Sequence, residues 1–150
     1  MMSRLLGKAA PGWGVGNLIK GVLLAAMSVT FASAQSTTVV ISQVYGGGGN
    51  ANAPYTHDFV ELVNISSTAV DVTGWSVQYA SSTGNFGGKA TLSGTIEPGK
   101  YYLVGLASGG TNGIALPTTN VSANVNLSGT VGKIALVNND TTLASTAAVQ

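Results

Sequence analysis

From residue 37 onward, short runs of β-branched and aromatic residues alternate with clusters of Gly, Pro and Asn. That punctuation predicts strands over 38–45, 59–63, 70–72, 75–80, 90–92, 95–96, 100–106, 121–127 and 133–137. The alternation is cleanest over 75–80. Trp75, Val77 and Tyr79 fall on one face, with Ser76, Gln78 and Ala80 on the other. The first set is the expected core face. Tyr101 and Tyr102 are adjacent, so one should be buried and the other exposed. Glu97-Pro98-Gly99 suits a tight turn, because Pro fixes φ and Gly accepts a left-handed backbone. No helical period of useful length appears in this part. Short strands at roughly 8–12-residue spacing indicate an all-β sandwich or barrel.

The first 34 residues follow a different pattern. Arg4, Lys8 and Lys20 precede an uncharged, mostly apolar run that starts at Gly21, and Ala32-Ser33-Ala34 closes it. This is the order of a cleavable signal peptide helix, with cleavage expected between Ala34 and Gln35. The apolar run is too short for a permanent membrane span, which needs roughly 20 residues. No cysteine follows to carry a lipid, and no twin-Arg pair is present, so the general export route is expected. The protein is then secreted, periplasmic or held at the cell surface. Residues 35–150 form one domain.

Export changes the charge. The precursor holds six Lys or Arg and five Asp or Glu, net +1. Cleavage removes Arg4, Lys8 and Lys20 and no acid, leaving +3 and −5, net −2. No basic patch remains to neutralise phosphates, so strong nucleic-acid binding is not expected. Only 7% of residues are charged, against about 25% in typical domains. Hydroxyls and amides must wet the surface instead. Cysteine is absent, which excludes disulfides, thiolate zinc sites and cysteine nucleophiles.

Chemistry has few candidates. Gly46 to Gly49 resemble a phosphate loop only in glycine content. The G-K-[ST] ending and the following helix are missing, and a flexible link with positive φ is the simpler reading. His57 and Asp58 are adjacent. In a strand they point to opposite sides, so Asp58 is badly placed to orient His57 as a base. No G-x-S-x-G elbow exists. Asn50, Asn52, Asp58 and Glu61 could offer oxygens to Ca²⁺. The two carboxylates do not share a face, however. Asp58 is better read as capping amides of the glycine loop, and Glu61 as pairing with a lysine or water. Asn50, Asn52, Tyr55, His57 and Asp58 therefore stand as binding candidates. No catalytic residue, metal ligand or cofactor is assigned, and the chain is read as not an enzyme. A protein partner, met through loops or an open sheet edge, is expected. Sugar stacking on Tyr45, Tyr55 or Tyr102 is the alternative.

The strand motifs together resemble the lamin-tail domain. The carriers are Val39-Val-Ile-Ser-Gln-Val-Tyr45, His57-Asp-Phe-Val-Glu-Leu-Val-Asn64, Val70-Asp-Val-Thr-Gly-Trp-Ser-Val77, Ile96-Glu-Pro-Gly-Lys-Tyr-Tyr-Leu-Val104 and Gly132-Lys-Ile-Ala-Leu-Val137. The resemblance implies an immunoglobulin-like β-sandwich. It also implies a further strand after the last motif, which the stretch from Asn138 to Ala148 does not supply. The chain then reads as a fragment of a longer protein, or as a sandwich with an open edge. The loop from Gly46 to Asp58 is similar to a bacterial exported branch of the family. Members of that branch often precede an endonuclease/exonuclease/phosphatase-type domain. The function expected is thus an exported, non-catalytic module for protein interaction or spacing. The alternative is an accessory domain of such an enzyme, whose catalytic part this chain does not encode.

Overall fold

The computed structural model describes residues 36–144. The expected signal peptide and its cleavage point lie outside them. Nine strands are present among the described residues, in chain order β1 (Val39–Tyr45), β2 (Phe59–Asn64), β3 (Val70–Asp71), β4 (Ser76–Ala80), β5 (Gly88–Thr91), β6 (Thr95–Ile96), β7 (Tyr101–Gly105), β8 (Val121–Ser122) and β9 (Lys133–Val137). No described helix is long and apolar enough to cross a membrane.

The strands form an immunoglobulin-like β-sandwich. One sheet has the order β1-β2-β7-β8, the other β5-β4-β9, and β3 and β6 make a short ribbon of their own. All pairings are antiparallel except β7 with β8. Both β1 and β9 are border strands. The β1–β2 register shifts between Ile41 and Gln43, so Ser42 forms a bulge.

Alternation decides what faces inward. On β2, Val60 and Leu62 point into the core; on β7, their neighbours Val104 and Tyr102 do the same. Val72 and Ile96, at the β3–β6 ribbon, and Leu92, just after β5, join them, all at 1% exposure or less. Full burial of one such side chain contributes about 1.5–3 kcal/mol. Tyr102 is the buried tyrosine of its pair and Tyr101 the exposed one. The buried Tyr102 hydroxyl donates to the Ser93 carbonyl at 2.7 Å, which satisfies its polar end. It therefore cannot offer its ring to a sugar, contrary to the expectation that placed it among the exposed tyrosines. Before β7, the Lys100 amide donates to the Glu97 carbonyl at 3.0 Å, and Gly99 has φ 68°. That is the expected turn.

Two elements depart from expectation. The strand expected over 121–127 stops at Ser122. Beyond it the backbone bonds irregularly: Ala107 donates to Val125, and the Leu127 amide donates to a side chain, Asp58. Val125 and Leu127 are still buried. Val77 and Tyr79 of β4, and Trp75 just before it, do face the core as expected, Val77 buried and the other two half-buried against it. Ser76, Gln78 and Ala80, expected to face outward into solvent, are buried at 0%, 0% and 2% exposure. The physical reason is a second layer. After β9 the chain doubles back, and residues 139–143 lie over the outer face of this sheet, bonded to Ser76 and Gln78. Leu143 and Val137 pack there on a small cluster of Ala80, Phe86 and Ala135.

Candidate functional site

The binding candidates gather at one end of the sandwich, where the loop 46–58 enters β2. Glycine at 48 is required by close approach: a Cβ there would collide with the backbone of His57 and Asp58. Gly47 and Gly49 have φ 86° and 78°, the left-handed region that glycine adopts without strain. The loop is also cross-linked to its neighbours. Gly109 donates to Gly48 at 2.8 Å, Thr56 to the Ile114 carbonyl at 2.9 Å and Ile114 to Pro54 at 3.0 Å.

Asp58 is the centre of this wiring. Its side chain is fully buried. Oδ1 accepts the Gly48 amide and Oδ2 the Leu127 amide, each at 2.7 Å. Its own backbone pairs with Ala107 and Leu106. One residue thus ties together the glycine loop, the segment after β7 and the segment after β8. Charge-assisted bonds of this kind contribute about 1.5–3 kcal/mol each. Both carboxylate oxygens are engaged, so Asp58 is a clamp and not a surface contact. The amide-capping role read from the sequence is the one found.

The other candidates split. Asn50, Asn52 and His57 are exposed, while Tyr55 is half-buried. Asn52 has φ 65°, the one positive φ outside glycine among the described residues. It closes a turn in which Ala53 donates to Asn50 at 3.0 Å. Tyr55 turns away from these three. Its ring meets Tyr45 and Phe59 edge-on, each at 5.7 Å, while Tyr45 stacks on Phe59 at 5.3 Å. Tyr45, Phe59 and Glu61 lie on the outer face of the first sheet. The Glu61 carboxylate accepts the Ser42 hydroxyl at 2.6 Å, so the bulged residue takes the partnership expected of a lysine or water.

His57 points the other way, as adjacency to Asp58 demanded. Its Nδ1 lies 2.8 Å from the Thr56 hydroxyl. The ring borders an open cavity of about 750 Å³ between residues 105–108 and 115–124. Leu106, Leu116 and Pro117 supply apolar walls, with Ser108, Thr118, Ser122 and Asn124 as polar rim. Sequence reasoning named only His57 of this set. The others stand up to 67 positions away, and a two-residue β8 gave no periodicity to place them. No group of three or more His, Asp or Glu comes together among the described residues.

A model of the Lamin Tail Domain family matches residues 32–150. The chain belongs to that family. A search of curated proteins gives no match. In this lamin tail domain the motifs that carried the resemblance serve the sandwich. Val60 and Leu62 of the second motif and Tyr102 and Val104 of the fourth face each other across the β2–β7 pair. Gly74, with φ 80°, turns the chain inside the third, just before Trp75. The loop before the second motif holds Asn50, Asn52 and Tyr55, and the motif itself opens with His57 and Asp58.

Proposed function

We propose that this lamin tail domain is an exported, non-catalytic module that binds a protein partner, or spaces one, through its Asp58-clamped loop end. The clamp is the observation that carries the reading. It holds three loops as one preorganised surface, and preorganisation lowers the ordering cost of binding. That surface presents Asn50, Asn52 and His57, amide and imidazole groups suited to hydrogen bonding with polypeptide. It carries no net charge beyond the internal clamp, which suits a neutral partner better than a polyanion. Export is supported by the n-region, apolar run and Ala32-Ser33-Ala34 of the sequence.

The test uses the full chain in a bacterial host that has the general export route. The exported product should begin at Gln35 by mass spectrometry; a product that keeps Met1 refutes export. A photo-crosslinking residue at Asn52 or His57 should yield adducts in the exported fraction. The same residue at Glu97, in the turn before β7, should not. Equal labelling at both places defeats the loop-end assignment, and metal-dependent phosphodiester cleavage by the purified chain defeats the non-catalytic one.

A further inference from the structure

We propose that the outer face of the β5-β4-β9 sheet is a groove for a polypeptide segment, built around the Gln78 amide, and that residues 139–143 occupy it as a strap able to open while the sandwich stays folded. Gln78 is fully buried, yet it lies on the outer side of β4. Its Nε2 donates to the Thr141 carbonyl at 2.8 Å, and its Oε1 accepts the Leu143 amide at 2.9 Å. These partners are a carbonyl and an amide two residues apart on a bent segment, in which the Thr141 amide donates to the Asn139 side-chain oxygen at 2.8 Å. A primary amide matches that pair with its own donor and acceptor. Ser76 continues the row: its hydroxyl accepts from Gln78 Nε2 at 2.9 Å and donates to the Asn139 carbonyl at 2.7 Å. The contacts at 139, 141 and 143 thus all fall on main-chain atoms of the segment.

The face reads main chain at these positions. Side-chain recognition is confined to two places. Leu143 packs on Ala80, Phe86 and Ala135. Asp140 meets Lys89 Nζ at 3.0 Å and accepts the Thr91 hydroxyl at 2.8 Å. The occupant is this chain's own segment, seated in the structure.

The manner of attachment makes the strap separable. Residues 139–143 belong to no strand, and the contacts to the sheet named above all run through its side chains. The sandwich is held by backbone ladders and a main core that the strap does not enter; Leu143 touches only the small outer cluster. Segments with few buried apolar contacts open at lower free energy than the global transition.

Hydrogen exchange on the full chain tests this. The Leu143 amide should exchange at least about tenfold faster than amides of β2 and β7, through an opening insensitive to low urea. Exchange of Leu143 with the same urea dependence as β2 overturns the separable strap. In Gln78→Leu, exchange over 139–143 should rise by a further factor of about ten while β2 and β7 keep their protection; unchanged strap exchange overturns the role of Gln78. Because Gln78 is buried, a second variant guards the test. Leu143→Asp sets a charge against Phe86 and should empty the groove. A labelled peptide with the sequence of residues 138–144 should then bind this variant by NMR titration, and bind the unaltered chain at least about tenfold more weakly, since its own strap competes. Failure of the peptide to bind the emptied groove overturns the proposal.

Discussion

At the scale of single residues, burial separates structural groups from contact groups. Asp58 is the clearest case. Truncation to Ala leaves the Gly48 and Leu127 amides without their acceptors in a dry interior, at about 1–3 kcal/mol for each orphaned group. Asp58→Ala should therefore lower stability by roughly 3–5 kcal/mol in urea unfolding, and Asp58→Asn, which keeps one acceptor, by less. His57→Ala, one residue earlier and exposed, should stay within about 0.5 kcal/mol of the parent. The same geometry predicts that excess Ca²⁺ leaves the melting temperature unchanged, since both Asp58 oxygens are bonded to amides. A clear rise on titration would show that calcium displaces them. Tyr102→Phe is a milder probe. It removes the hydroxyl bond to Ser93 and should cost about 1 kcal/mol, measured by the same unfolding curve.

At the scale of elements, the sequence was legible wherever pairing and patterning said the same thing. The β2 and β7 runs, the Pro98-Gly99 turn and the inward Val60, Leu62 and Val104 could all be read from alternation and turn chemistry. The outer face of β4 could not. Ser76 and Gln78 are polar, and polarity in alternate positions signals solvent unless a further layer exists. That layer is a segment whose own composition shows no period, because its anchors are main-chain atoms. Asp140 gives it a pH dependence. Hydrogen bonds from Lys89 foremost, and from Thr91, hold the Asp140 carboxyl below its ordinary value of 3.8. A carboxyl lowered in the folded state adds stability that is complete above the ordinary value and vanishes as pH falls through the folded one. The Leu143 amide resonance should therefore hold steady from neutral pH down to about 4 and move below it. In Asp140→Asn that movement should be absent. The pair is solvent-exposed, so added salt should weaken it.

At the scale of the whole molecule, fold class and family were readable because they rest on the order of strands, which short-range pattern records. The cavity beside His57 was not, because it is assembled from segments 105–108 and 115–124 that only the folded chain brings to that histidine. Charge also acts at this scale. On the proposed cleavage, loss of the first 34 residues would turn a net +1 precursor into a net −2 product. The exported chain should migrate as an acidic protein on isoelectric focusing, on the opposite side of neutrality from its precursor; a basic band would mean that the leader is retained.

The displaced register at Ser42 reaches beyond the first sheet. β1 runs along a border, where an even row of amides would invite a neighbouring chain to zip on and grow a fibre. A bulge breaks that row and twists the border away from any flat template. Crowded together, copies of this domain would meet a frayed seam on that side, and lateral stacking would stall there before it could spread.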